Sequence, residues 1–220
     1  DEHIAKLELV PAKPVIKSRP KYLALVTAGL ILGAIGLGYY VFNAASGEAI
    51  DSVAVLPFVN TTGDTNTEYL SDGISDSIIN SLSRLPNLKV NSLNSVMRYK
   101  GKEVDAQTIG RELNVRAVLM GKLTQQGDNV SISVELVDVG DNRRLWGEQY
   151  NRKRSDILVV QGEIARQISD GLRLRLSGEE KKLLVRQYTE NNEAYLLYSL
   201  GKYSSRQMTK EGFEKGIEFF

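Results

Sequence analysis

Residues 117–136, AVLMGKLTQQGDNVSISVEL, decide how the folded part of this chain is read. They open on a continuous apolar run, Ala117-Val118-Leu119-Met120, as a strand covered on both faces would. Gln126-Gly127-Asp128-Asn129 supplies turn residues. Beyond them Val130, Ile132, Val134 and Leu136 alternate with Ser131, Ser133 and Glu135. Side chains of a strand point to opposite faces in turn, so this second strand has one buried and one wet face and is an antiparallel member of its sheet. One segment thus predicts both a doubly covered strand and a half-covered one, which a mixed sheet accommodates.

The flanks extend the pattern. Upstream, Val53-Ala54-Val55-Leu56 is another continuous apolar run, closed by Pro57, and Leu88 to Leu93 reads as a further, more polar strand. Leu70, Ile74, Ile78, Leu82 and Leu85 draw one stripe along a helix stopped by Pro86 and Asn87. Asp105 predicts an N-cap for a short helix carrying Ile109 and Leu113, with Asn114 as its left-handed stop. Downstream, Gly140-Asp141-Asn142 turns into a strand over 145–150 with Trp146 as a core anchor. Ser155 predicts the cap of a long helix over about 156–176, with Val160, Ile164, Ile168 and Leu172 facing inward. Strands and helices in this order pack as an α/β domain, helices laid on a mixed sheet.

Further out, residues 22–42, YLALVTAGLILGAIGLGYYVF, carry no charge over about 21 positions, close to the roughly 20 a helix needs to cross a bilayer core. Tyr22, Tyr39 and Tyr40 stand where interfacial aromatics belong, and the segment predicts a single transmembrane helix. Lys6, Lys13, Lys17, Arg19 and Lys21 precede it, whereas the next basic residue after it is Arg84. This asymmetry puts the N-terminus in the cytoplasm and residues 43–220 outside it. Cleavage at Ala44-Ala45-Ser46 is the competing reading, disfavoured because a signal-peptide core is shorter. Gly29 and Gly33 form a GxxxG, and Ala34 and Gly38 a second small pair; a plain anchor is the expected use, and a homodimer through Gly29 and Gly33 the alternative.

The expected organisation is therefore a cytoplasmic tail over 1–21, the span over 22–42, a linker over 43–51, the α/β domain over 52–177 and helices over 178–220. In that last part Asn192 and Thr209 cap two amphipathic helices, the unit of a helical repeat array. The tail, which starts without Met, and the final helix both read as cut from something larger.

Chemistry is sparse. The 220 residues include no cysteine and one histidine, His3 in the tail, which removes disulfides, thiolate metal sites and folded-histidine catalysis. A net charge of +1 gives no electrostatic reason to bind nucleic acid. Gly101-Lys102 and Gly121-Lys122 lack the spacing of a phosphate loop. The loop Asn60, Thr61, Thr62, Gly63 and Asp64 joins a strand to a helix start, a geometry able to hold an anion, and is the one weak ligand candidate. Asp72, Asp76, Glu135 and Asp138 read as helix-start or solvent-face residues. Arg143, Arg144, Arg152, Lys153 and Arg154 read as a solvated basic rim on two turns. No catalytic residue, metal or cofactor is expected, and the partners are the bilayer and a protein or peptide.

The stretches SVAVLPFVN (52–60), EYLSDGISDSIINSLSRLP (68–86), GRELNVRAVLMGKL (110–123), LWGEQYNRKRSDIL (145–158) and QGEIARQISDGL (161–172) resemble the bacterial TolB-amino-terminal-like domain. The resemblance implies a domain just outside a single span, followed by tetratricopeptide repeats beginning at NNEAYLLYSLGKY (191–203). It also implies a cytoplasmic output module: a serine/threonine kinase, a nucleotide cyclase or a winged-helix regulator. LRLRLSGEEKKLL (172–184) before a repeat is most similar to the kinase members. Gly216 stands where the repeat usually has alanine, and no kinase motif occurs in the chain. What this implies is a non-catalytic sensor or protein-interaction module of a signalling protein. An envelope enzyme binding a small molecule or nucleotide is the alternative.

Overall fold

The structure, a computed structural model, describes residues 30–33, 36, 49–64, 67–186 and 189–220. Two units separate, Asp1–Gly47 and Glu48–Phe220. In the first, residues 30–33 and 36 are helical; the rest of the expected span, with Gly29, lies outside the described residues. Among the described residues no helix is long and apolar enough to cross a membrane.

The second unit is the expected mixed α/β fold. Its strands are β1 (Ser52–Val55), β2 (Val59–Asn60), β3 (Lys89–Val90), β4 (Ala117–Gln126), β5 (Asn129–Asp138) and β6 (Arg143–Lys153). They form one sheet in the order β3-β1-β4-β5-β6, with β2 also paired to β4. Pairing is parallel among β1, β2, β3 and β4 and antiparallel from β4 to β5 to β6. The turn at Gly127 brings β5 back on β4, so Leu119 lies opposite Leu136 and Leu123 opposite Ile132. Val53, Ala54 and Val55 are fully buried, as are Val118 and Leu119. Val130, Ile132, Val134 and Leu136 are buried while Ser133 is exposed, the outcome the alternation requires.

Helix α1 (Glu68–Leu82) lays Leu70, Ile74, Ile78 and Leu82 on the core. Two short helices follow, α2 (Leu93–Val96) and α3 (Ala106–Leu113). Asp105 caps α3 by accepting from the Thr108 amide, and Asn114 closes it in the left-handed region at φ 53. Beyond β6 come α4 (Ile157–Gly171), α5 (Gly178–Val185), α6 (Asn192–Arg206) and α7 (Lys210–Phe219). Helices α1 and α4 pack side by side, and α6 lies on α1. Close approach is built into the core at Gly121: a Cβ there would stand 2.5 Å from carbons of the buried Phe58 ring.

Several local expectations are corrected. The strand expected over 88–93 shrinks to Lys89–Val90, because the Ser92 hydroxyl accepts from the Ser95 amide and starts α2 at Leu93. Leu85 is buried but lies past the end of α1. The helix expected to reach 176 stops at Gly171, where Arg173 turns left-handed at φ 58. Ser155 does not cap it; its hydroxyl is bonded to Asp156. Trp146 is only partly buried, packed against the edge of the core. The basic residues 143, 144, 152 and 153 sit within β6 rather than on turns. Residues 178–185, read only as charged, form α5 under a Ser177–Glu180 capping box. The cap of α6 is Asn191, not Asn192.

Candidate functional site

The residues that converge are not those of the expected loop. In residues 60–64, Asn60 spends its amide on the Asp64 carbonyl and the Thr67 hydroxyl, both at 2.9 Å, and its oxygen accepts from the Thr62 amide at 3.0 Å. Thr61 meets the Thr124 hydroxyl at 2.5 Å, and the Thr62 hydroxyl accepts from the Gln125 amide at 2.7 Å. The turn, with Gly63 at φ 77, is bonded to itself and to β4. Of the two span glycines, Gly33 alone is described, and a Cβ built on it would meet nothing within 4 Å.

Convergence occurs instead on the second face of α1. One stripe of that helix is apolar and faces the sheet; a neighbouring stripe carries Asp72, Gly73, Asp76, Ser77 and Asn80. Against it lies α6, whose Tyr195, Ser199, Lys202 and Arg206 recur at steps of four, three and four and so share one helix face. The helices run antiparallel: Arg206 reaches Asp72 at 3.1 Å, and Lys202 reaches Asp76 at 2.5 Å. Gly73 is where they come closest, since a Cβ there would stand 2.8 Å from the Ser199 hydroxyl and 3.0 Å from the Tyr195 hydroxyl.

Asp72 corrects the expectation of a solvent-facing carboxylate. Its side chain is 4% exposed, and it accepts from Lys100 at 2.6 Å as well as from Arg206. Lys100 also pairs with Glu68. Burial works against the charge on Lys100, but hydrogen bonds and attraction from Asp72 and Glu68 outweigh it and hold its pKa above the ordinary lysine value. Asp138, likewise expected in solvent, is buried and accepts from the Gly140 amide at 2.8 Å.

Beside the ion pairs lies a groove of about 390 Å³, walled by α1, α4, α5 and α6, within the roughly 300–1,000 Å³ of small-molecule and side-chain sites. Leu158, Leu184 and Val185 give it apolar walls, and Tyr198 and Asn80 border it. Its floor is polar: the buried Tyr195 hydroxyl accepts from Gln161 at 2.6 Å and from Ser77 at 3.5 Å. Burial raises the pKa of this phenol, with the hydrogen bonds from Ser77, Ser199 and Gln161 opposing the rise, so it stays neutral at physiological pH. Arg84 closes one end by donating to the carbonyls of Leu183 and Arg186 at the end of α5, the first at 2.9 Å. The arrangement can bind an amphipathic group, presenting apolar walls and a hydroxyl–amide floor.

Sequence reading missed this site. The Asp72, Asp76 and Asn80 stripe on α1 was its one local trace, and the partners that give the stripe meaning lie on another helix.

Over 132 residues the chain is 41% identical to a Rhizobium meliloti (strain 1021) protein whose name assigns it provisionally as adenylate cyclase 3; the match takes in 60% of this chain. The chain spans only 22% of that relative's length. Among solved structures it is similar to TolB from Acinetobacter baumannii (18% identity, TM-score 0.40, covering 57% of this chain and 30% of that one). It is also similar to lipoprotein GNA1162 from Neisseria meningitidis (19%, TM-score 0.41, 54% and 98%) and to the LpoB C-terminal domain from Escherichia coli (13%, TM-score 0.38, 49% and 86%). These are likenesses of fold alone. Residues 49–167, more than half of the chain, match a described family, and the chain belongs to it: the HilA/YgeH-like transcriptional regulator, second domain.

Proposed function

We propose that the chain is the non-catalytic sensing module of a bacterial signalling protein, anchored in the inner membrane through residues 22–42 and folded outside the cytoplasm from residue 43 onward. Its α/β domain and the helices after it bind a protein or peptide partner, and that binding regulates an output unit across the membrane. The observation that carries this reading is the groove between α1, α4, α5 and α6. It joins the α/β domain to the helical segment, so a side chain seated in it contacts both.

The 41% identity to a relative named as an adenylate cyclase favours a nucleotide cyclase as that output over the serine/threonine kinase suggested by residues 172–184. A winged-helix, DNA-binding output is the second reading, favoured by the family of transcriptional regulators to which the chain belongs. The pair α6–α7 serves as the first unit of a tetratricopeptide array in either case.

Gly162 on α4 offers the test. A Cβ there would have Val185 at 3.9 Å as its nearest neighbour, so a side chain has room to start from this position and Gly162→Leu puts one into the groove. In membranes carrying the full-length protein, this substitution should change cyclic-nucleotide output severalfold while leaving far-UV circular dichroism of the chain unchanged. Unaltered output in a folded variant would remove the groove from signalling. A reporter active only outside the cytoplasm should work when fused after Phe220 and fail when fused before Lys17; the opposite pattern would overturn the topology.

A further inference from the structure

We infer that the α6–α7 hairpin is an electrostatic latch, held on the α/β domain by charge and able to open from it as a unit. The docked face of α6 is polar throughout its middle and end: Ser199, Lys202 and Arg206 meet Gly73, Asp76 and Asp72. Tyr195 is a buried ring in the contact, and its hydroxyl is bonded inward to Gln161. Of the hairpin's larger apolar side chains Leu196 packs against the core beside Tyr195, while Leu197, Tyr198, Phe213 and Ile217 are exposed.

The two kinds of contact differ in strength for a physical reason. Taking Asp72 out of water, and Asp76, Lys202 and Arg206 partly so, costs much of what their mutual attraction returns. Docking built on such pairs is specific in register but small in net free energy. The two helices of the hairpin meet over a more extensive contact than α1 and α6 do, with close approach at two glycines. A Cβ at Gly212 would stand 2.6 Å from the Ser204 carbonyl, and one at Gly201 would stand 2.7 Å from the Phe220 ring. The α1–α6 contact is therefore the weaker seam, and local opening follows the weaker seam.

Opening has a consequence for the groove, whose walls come from α1 and α4 on one side and α6 on the other. Undocking dismantles it, so anything bound there favours the docked hairpin, and by linkage the docked hairpin favours binding. This consequence rests on the groove being the sensing site; the latch itself stands on the ion pairs alone.

Hydrogen exchange read by mass spectrometry on the full chain tests the latch without any ligand. Amides of α6 and α7 should exchange together, about tenfold or more faster than those of β4 and β5, which need wider unfolding. Lys202→Met leaves Asp76 with Asn80, at 3.4 Å, as its remaining partner in this seam and should speed hairpin exchange by about tenfold more. Adding Asp76→Leu to Lys202→Met replaces the pair by apolar side chains and should bring the rate back to that of the native chain or below it. Protection of β4 and β5 in the same samples reports that each variant is folded. The inference is overturned if the native hairpin exchanges at the rate of the sheet, if Lys202→Met leaves it unchanged, or if the double variant is no slower than the single one. A silent Gly162→Leu would count against the groove and leave these exchange rates standing.

Discussion

Tyr195→Phe removes one oxygen from the floor of the groove, and its cost can be worked from what that oxygen touches. The hydroxyl accepts from Gln161 at 2.6 Å, a short bond between two buried groups. Losing the bond costs about 1 kcal/mol net, and leaving the Gln161 amide buried without that acceptor adds about 1 kcal/mol or more. The phenylalanine ring is cheaper to bury than the phenol, which returns part of this. The expected loss is about 2 kcal/mol, equivalent to a fall in Tm of about 4–8 °C for a folded unit of this size. Gln161→Leu made alone should cost about 1 kcal/mol, because the hydroxyl loses its shortest bond and keeps the longer one from Ser77 at 3.5 Å. Combined, Gln161→Leu and Tyr195→Phe substitute an apolar pair of similar volume for a hydrogen-bonded one, which recovers most of the loss, while Ser77 gives up its longer bond to the phenol. Urea unfolding of the native chain and the three variants, followed by circular dichroism, closes the cycle and should give a coupling of about 1–2 kcal/mol. A Tyr195→Phe variant within about 0.5 kcal/mol of native, or a double variant as unstable as the sum of its singles, would refute the account of the floor as a closed polar network.

Three further outcomes follow from the core and the sheet. Gly121→Ala gains about 0.5–1 kcal/mol from lower chain entropy but drives a methyl against the fixed Phe58 ring, an overpacking cost of about 1–3 kcal/mol, so the midpoint in urea should fall; a rise would mean the ring gives way. Val55→Asp should unfold the domain in a thermal melt, while Ser133→Asp on the wet face should cost about 0.5 kcal/mol or less; equal damage would mean the strand faces are misassigned. The Tyr150 phenol, pushed up to about 12 chiefly by burial and then by Glu148 and Glu163, holds its proton more tightly in the folded chain than at the ordinary 10.0. Its contribution is complete below pH 10.0 and is lost as pH rises towards about 12, so Tyr150→Phe should flatten the alkaline limb of stability against pH, and an unchanged limb would count against it.

Local physics was legible in the residues themselves. The alternation from Val130 to Leu136 determined which face of β5 is buried, because side-chain direction in a strand depends only on position. The caps at Asp105 and Thr209 and the left-handed Asn114 could be read directly, since a cap bonds to amides two or three residues away. Where two local signals competed, the reading went astray: at Leu93 an apolar residue looked like strand until Ser92 claimed the Ser95 amide. Of the candidate site, only the Asp72, Asp76 and Asn80 stripe was legible, and not its meaning. Asp72 and Asp76 look like any exposed helix carboxylates, and what makes the first a buried anchor and the second a partly buried one is Arg206, 134 positions from the first, and Lys202, 126 positions from the second. Nothing in the neighbourhood of a residue encodes a partner that far along the chain. Only the packing of α6 on α1, set by the sheet beneath and by the absence of a side chain at Gly73, decided that these charges leave water and that a groove opens beside them.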